Sequence, residues 1–488
     1  MKLYCMQCTA EFRLVKSADE PVPSPALVVD LDGTLLKTDL LLESILALLK
    51  RAPQYIFMLP VWLLNGKAYL KQQVARRVSL DACVLPYRDD LLDYLRAQHA
   101  QGRTIVMATA GDIQTVRQVT DHLGGFDMVF ASDGLTNLSG EAKRSRLVSQ
   151  FGEKGFDYVA NAPDDLAAWG SAAKAILVNP GRLVSSRIAG VAQVDRVFQD
   201  RRKDFVEYLK PFRLEHWLKN ILVFVPLFAA HRLFEVDLLG KLLLAFLAFG
   251  CFASAGYLIN DLLDLSEDRH HPRKRFRPFA AGDLPLSYAL VMIPALLGLG
   301  CLLGMLVSGL FLGAALIYFA LTLTYSLYLK RVVLLDVVVL SGLYTLRIMA
   351  GSAAVAIWPS HWLLAFSTCL FFSLALVKRY GELMIMGSAK ARGYERDDRE
   401  LIAAMGIASG YLAVLVLALY INSGIAQILY RRFELMWFLC PLLFYWISHI
   451  WLITHRGRTP DDPVLFALRD RTSLILGLLM LAITVLAL

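Results

Sequence analysis

Charge is scarce in this chain of 488 residues. Asp, Glu, Lys and Arg make up 19% of it against 57% hydrophobic residues, and the mean hydropathy is +0.51. That balance excludes a disordered chain and points to a membrane protein. Cysteine is sparse too: seven are scattered along the chain, several inside apolar runs. This excludes a disulfide framework and fits a reducing compartment. Cys5 and Cys8 form a single C-x-x-C pair, without the second pair or nearby His that a zinc site needs. Residues 1–24 lack the apolar core of a signal peptide, so they read as a loosely ordered tail, and the domain after them is expected to stay in the cytoplasm.

Long apolar runs are absent from the first 200 residues and recur after about Trp217, so the chain has two parts. Each run is near the roughly 20 residues needed to cross a bilayer. Nine spans are expected, near 217–231, 238–259, 286–307, 309–329, 333–356, 360–377, 402–422, 434–454 and 471–488. With a cytoplasmic N-terminal domain, the connections after spans two, four, six and eight face the cytoplasm. They hold Arg269 to Arg277, Lys330 with Arg331, Lys378 to Arg399, and Arg456 to Arg471. The opposite connections offer little beyond Arg232, Arg431 and Arg432, which agrees with the positive-inside bias. The formal net charge of +8 is therefore assigned to topology and anionic ligands, and no nucleic-acid partner is expected.

At the mouth of an apolar run lies N-D-L-L-D-L-S-E-D-R-H-H-P-R-K-R-F-R-P-F-A-A-G, from Asn260 to Gly282. On a continuous helix Asp261, Asp264 and Asp268 fall at i, i+3 and i+7, so three carboxylates share a face. Clustered carboxylates repel unless a cation sits among them, and an all-oxygen set suits Mg2+. Arg269, Arg273, Lys274, Arg275 and Arg277 follow at once, ready for phosphates bridged by the metal. This block resembles the first Asp-rich motif of the UbiA-type intramembrane prenyltransferase superfamily, and its longer form is most similar to the decaprenyl-phosphate phosphoribosyltransferase branch. The resemblance covers roughly residues 205 to 488 and implies Mg2+ held by Asp261, Asp264 and Asp268. It also implies ligand contacts from Asn260, Arg269, Lys274 and Arg277, with His271 in a structural or orienting role.

Ahead of these spans, Ala26 to Val29 leads into Asp30-Leu31-Asp32-Gly33-Thr34, which resembles the first motif of the haloacid dehalogenase superfamily. The resemblance implies a doubly wound parallel α/β sheet over about 25–200 with a helical cap over about 39–100. Asp30 would attack phosphorus and Asp32 handle a proton, Gly33 allowing the tight turn. Thr109 would bind phosphate and Lys143 offset its charge. The fourth motif departs from the family: Asn161 stands where a carboxylate is expected in Ala160-Asn161-Ala162-Pro163-Asp164-Asp165. A second Mg2+ site would thus draw on Asp30, Asp32, Asn161 and Asp165, with less charge than usual, and the domain reads equally as an active phosphatase or a degenerate binding domain. Within the cap, Tyr55 to Leu64 is apolar but too short to span a bilayer. It reads either as cap core or as a surface that dips into lipid.

Three further segments extend the first resemblance. Arg213, Trp217, Lys219 and Asn220 precede an apolar run. Trp217 and Lys219 also suit an interfacial anchor, whereas Asn220 entering lipid wants a partner. Tyr325 to Arg331 includes Lys330, with Asp336 beyond it and Arg347 deeper in the same run. Asp336 is a candidate partner for Arg347, although about three turns of one helix separate them. Finally Lys378-Arg379-Tyr380-Gly381-Glu382 stands where aromatic-acceptor prenyltransferases carry a second Asp motif, and it suits a phosphosugar better than a second metal. Asp397 and Asp398 read as solvated.

The preferred reading is an Mg2+-dependent transferase of the inner membrane that moves 5-phosphoribose from phosphoribosyl pyrophosphate to a polyprenyl phosphate. The soluble domain would then remove the 5-phosphate of the product. The alternatives are a prenyltransferase joining a prenyl diphosphate to an aromatic or other small acceptor, and a lipid-binding scaffold without chemistry. Oligomeric state has no signature in the sequence.

Overall fold

The computed structural model describes residues 25–200, 204–232, 234–386, 393–458, 466–467 and 469–488. Cys5 and Cys8 lie outside the described residues. The chain forms two compact units. One joins Met1–Pro211 with Asp261–Leu290, and the other joins Phe212–Asn260 with Val291–Leu488. The boundary expected near residues 200–205 is therefore crossed, because the Asp-rich segment packs with the N-terminal part.

The first unit is built on a six-stranded parallel sheet. Its strands are β1 (Ala26–Val29), β2 (Ile105–Asp112), β3 (Met128–Ser132), β4 (Phe156–Ala160), β5 (Ala175–Val178) and β6 (Val194–Phe198), in the order β3-β2-β1-β4-β5-β6. The register sets Val28 beside Val106 and Tyr158. Period-2 alternation divides the strands between two cores. Leu27, Val29, Ile105, Met107 and Val159 face one side, with Leu91, Leu95, Val116 and Val119 from the helices Asp89–Ala100 and Ile113–Leu123. Ala26, Val28, Val106, Ala108 and Tyr158 face the other, with Leu147 and Trp169. Both faces are covered, as parallel strands with near-continuous apolar sequence require. From β1 the chain order runs outward one way through β2 and β3 and the other way through β4 to β6. The carboxyl ends of β1 and β4 flank the point where that order reverses, where open α/β sheets place ligands.

Between β1 and β2 stand the helices Leu40–Arg51, Met58–Leu64 and Lys67–Ala75, the helical insertion expected over 39–100. Asp39 caps the first by accepting the Leu42 N–H.

The second unit is helical, and seven helices among the described residues are long and apolar enough to cross a membrane: Val236–Leu263, Leu286–Val307, Gly309–Leu327, Leu335–Val355, His361–Met384, Asp398–Ile421 and Phe433–His455. Seven of the nine expected runs form such helices. The run near 217–231 breaks into a tight helical stretch, Leu214–Phe224, and a short helix, Val225–Ala229, that opens with Pro226 near its start. Lys219 and Asn220 are buried within it, and polar side chains there need protein partners rather than lipid. Its backbone lies so close to Leu335–Val355 that a Cβ at Gly351 would stand 2.0 Å from the Val223 carbonyl oxygen. The last expected span forms Arg471–Ala487, 17 residues long and capped by Asp470.

Candidate functional sites

The first site lies at the carboxyl ends of β1 and β4. Asp30 follows β1 and is buried, and Lys143, from the helix Glu141–Phe151, reaches it at 2.9 Å. The same ammonium donates to Asp165 (3.0 Å) and to the Tyr158 hydroxyl (2.8 Å), which in turn donates to Asp165 at 2.7 Å. Thr34 Oγ1 lies 3.2 Å from both Asp30 Oδ2 and Asn161 Oδ1. Gly33 makes the turn possible: its φ is +72°, and a Cβ there would meet the Asn161 amide at 2.4 Å. Asp32 accepts the Leu40 N–H at 2.9 Å. Thr109 is fully buried in β2, its hydroxyl accepting the Gly111 N–H at 3.1 Å.

The two acidic residues of this turn are tuned apart. Burial pushes Asp30 up to about 6, with Lys143 opposing and Asp165 adding to the rise. Part of Asp32 reaches solvent, yet the protein atoms crowded around its carboxylate push it up to about 8, with repulsion from Asp39 and partial relief from the Leu40 N–H. Lys143 loses to burial but gains more from Asp30 and Asp165, so its ammonium is held above the usual range. Without a cation beside them, burial would therefore leave Asp30 ionised and Asp32 protonated at neutral pH.

Asp165 does not fit the metal role expected for it. Its Oδ1 is taken by Lys143 and Tyr158, and its Oδ2 accepts the Ala162 N–H at 3.2 Å. Asp30 and Asn161, which meet at Thr34 Oγ1, are oxygen donors compatible with Mg2+, and Asp32 could join them only when ionised.

The Asp-rich segment, in the same unit, departs from a single helical face. The helix ends at Leu263 and a new one starts at Leu265, leaving Asp264 at the break with φ −98° and ψ 15°. Asp261 and Asp268, both 3% exposed, converge on the Arg277 guanidinium at 3.2 and 2.5 Å. Asp264 meets Lys50 at 3.0 Å instead, and Lys50 also pairs with Glu267. Arg269, expected to touch substrate, makes a buried two-pronged pair with Glu43 at 2.6 and 2.8 Å and donates from Nε to the Ala280 carbonyl. The His271 ring accepts the Arg273 and Lys274 N–H groups if Nδ1 is unprotonated, which gives the ring a turn-making position. Among the described residues no group of three or more His, Cys, Asp or Glu side chains converges on a metal position. The Asp261–Asp268 pair nonetheless fits a hard cation, since two buried carboxylates already meet on one positive group.

The helical unit holds two buried polar clusters. In one, Arg347, 5% exposed, donates to Asn220 Oδ1 (3.1 Å), the Leu343 carbonyl (2.9 Å) and the Tyr318 hydroxyl (2.6 Å). It also lies over the Tyr318 and Tyr344 rings at 4.7 and 5.3 Å, and Lys219 lies 5.9 Å from the Tyr344 ring. None of the described partners of Arg347 is a carboxylate, and the buried Asn220 Nδ2 has no hydrogen-bond partner. Aromatic faces and neutral acceptors stabilise a cation without neutralising it, which leaves this cluster suited to an anion.

In the other, Arg379, 1% exposed, bridges Asp336 and Glu382, each at 2.5 Å, and donates to the Tyr325 hydroxyl. Tyr394 completes the set by donating to Asp336 at 2.6 Å. Asp336 is therefore the partner of Arg379 and not of Arg347, and Arg379 is matched by carboxylates rather than held ready for phosphate. Asp336→Ala would leave Arg379 with Glu382 as its one described carboxylate and would leave the Tyr394 hydroxyl without its acceptor, and a loss of about 1–3 kcal/mol is expected. It would be read as a lower unfolding temperature in detergent. An unchanged midpoint would show that Glu382 alone is enough to hold Arg379. Tyr380 bonds His455 Nδ1 at 2.8 Å, Lys330, Lys378 and Asn260 are half-buried, and Lys274 is partly covered.

Glu43, Lys50, Tyr158 and Tyr318 were not singled out from sequence. Glu43 carried a signal: it is the lone acid in the apolar run Leu40–Leu49. The tyrosines carried none, since an aromatic inside an apolar run is ordinary core.

The sequence model of the UbiA prenyltransferase family matches residues 221–484. The chain is 36% identical over 471 residues to an uncharacterized protein, y4nM, of Sinorhizobium fredii, covering 94% of this chain and 90% of that one. It is 38% identical over 283 residues to nodulation protein NoeC of Azorhizobium caulinodans, covering 56% and 91%. It is also 32% identical over 288 residues to decaprenyl-phosphate phosphoribosyltransferase of Mycobacterium tuberculosis, again covering 56% and 91%. The chain belongs to the UbiA prenyltransferase family: it is a transferase and an integral membrane protein.

Proposed function

We propose that this transferase moves 5-phosphoribose from phosphoribosyl pyrophosphate to a polyprenyl phosphate at the cytoplasmic face of the inner membrane, and that its α/β unit, which resembles the haloacid dehalogenase superfamily, then removes the 5-phosphate. The observation that carries the first part is the pair of buried carboxylates, Asp261 and Asp268, meeting on one cation, in a stretch whose wording is that of the phosphoribosyltransferase branch. Mg2+ on this pair would neutralise the leaving pyrophosphate as the anomeric carbon gains positive character. Arg277 is the donor nearest those carboxylates, and Lys274 lies three residues before it. In the helical unit, Lys219, Asn220 and Arg347 offer an anionic group a desolvated cation and a buried amide donor without a partner. Lys330 and Lys378 are further candidate phosphate contacts there. The attacking oxygen of a lipid phosphate is already anionic and needs no general base.

For the second part, Asp30 attacks the phosphorus of the 5-phosphate while Asp32 protonates the departing ribose oxygen. Lys143 and Thr34 steady the phosphoryl oxygens, and a water then cleaves the aspartyl phosphate with Asp32 taking its proton. The test uses full-length protein in detergent with Mg2+, labelled phosphoribosyl pyrophosphate and polyprenyl phosphate. Ribose label is expected in the lipid fraction, and Asp30→Asn should make the 5-phosphorylated lipid accumulate. Transfer only from a labelled prenyl diphosphate to an aromatic acceptor would sink the sugar reading. Identical products from wild type and Asp30→Asn would remove the phosphatase.

A further inference from the structure

The helical insertion of the α/β unit turns an apolar face outward. The turn Pro53–Phe57 and the helix Met58–Leu64 direct Trp62 inward, where it packs with Leu48, Leu70 and Val74, joined by Tyr55 and Leu59. The Arg77 guanidinium lies over the Trp62 and Tyr55 rings at 4.7 and 5.5 Å. With that inner face satisfied, the outer one holds Ile56 (53% exposed), Phe57 (80%), Val61 (47%), Leu63 (50%) and Leu64 (89%), with Met58 beside them. Single exposed apolar residues are ordinary, but six of them within one short helical stretch mark a binding surface. The structure corrects the reading of Tyr55–Leu64 as cap core: only three of these side chains turn inward.

We infer that this face enters the headgroup region of a bilayer containing anionic lipid. Charge selects that occupant. Between Glu43 and Asp81 the chain carries Lys50, Arg51, Lys67, Lys71, Arg76 and Arg77 and not one Asp or Glu. Arg51, Lys67 and Arg76 are exposed, flanking the apolar tip as an interfacial helix needs. A second copy docked face to face would set the same cations against each other, whereas anionic headgroups neutralise them. The segment is too short to span, so it lies in the interface. The helices of the other unit hold the chain at the membrane, and a weak second contact becomes effective because it is intramolecular. The consequence is that a phosphate borne on a membrane lipid stays within reach of the unit that carries Asp30.

The test reads depth in the full-length protein, reconstituted into vesicles of phosphatidylethanolamine and phosphatidylglycerol. An environment-sensitive fluorophore is placed on Phe57→Cys, on Leu64→Cys and, as a control, on the exposed Arg182→Cys, all with Cys83→Ser to remove an exposed native thiol. Labels at 57 and 64 are expected to shift to shorter wavelength and to be quenched several-fold more than the control by lipids with a nitroxide high on the acyl chain. Quenching equal to that at 182 for both sites would overturn the inference. Cross-linking of Phe57→Cys between copies, without lipid quenching, would overturn it in favour of a self-association face. Because two single sites are read, misfolding of one variant leaves the other to decide.

Discussion

Glu43→Ala is expected to lower the stability of the protein by about 3–5 kcal/mol, the range for removing one partner of a buried ion pair. The Glu43 and Arg269 side chains are 4% and 5% exposed, and the guanidinium uses both arms on the carboxylate and its Nε on the Ala280 carbonyl. Alanine would leave a desolvated positive charge in a site closed to water. The thermal unfolding midpoint of the full chain measures the loss. Glu43→Gln should lose less, since an amide oxygen still accepts one hydrogen bond. The double change Glu43→Met with Arg269→Met should recover much of the loss, because it removes the charge along with its partner. Because Arg269 anchors the segment that carries Asp261 and Asp268, Glu43→Ala should also depress transfer, and the double variant should restore it in part. Full activity and an unchanged midpoint in Glu43→Ala would show that the pair holds nothing in place.

The second large effect concerns Asp32. Phosphate release by the wild type should follow a bell in pH, rising as Asp30 loses its proton and falling as Asp32 loses its own, the limbs lying at about 6 and about 8 in the metal-free site and lower with Mg2+ bound. The signs follow from the proposed roles: as a nucleophile Asp30 must be ionised, so acid silences it, and as a general acid Asp32 must be protonated, so base silences it. Asp32→Asn is expected to cut the rate about 10²–10⁴-fold, the usual worth of a general acid. It should also abolish the alkaline descent, because an amide has no proton to lose there. Initial rates of phosphate release across this pH range, with Mg2+ held constant, decide the matter. A variant that kept both the rate and the alkaline limb would take Asp32 out of the chemistry.

Much of the site was legible because it is local. Asp30, Asp32 and Gly33 sit within four residues, and the short chain between them dictates the turn whatever surrounds it. Seven of the expected spans were visible for a similar reason, since length and apolarity are properties of a continuous segment. The same reasoning failed at 217–231, where composition suggested lipid but Lys219 and Asn220 required a protein environment. It failed again at Asp264, where an ideal helical repeat placed three carboxylates on one face. There the backbone breaks, and Lys50 takes the middle one.

By itself, then, the amino-acid order determined the division into a polar and an apolar part, the parallel α/β character of the first, the helices of the second, and the short motifs that carry charge. Only the tertiary structure decided which cation meets which carboxylate. Arg269 finds Glu43 across 226 residues, Arg379 finds Asp336 across 43, and Arg347 finds Asn220 across 127 with no acid among its described partners. Spacing in the chain cannot choose among such partners, because the choice follows from backbone paths and from the cost of burying each charge unpaired.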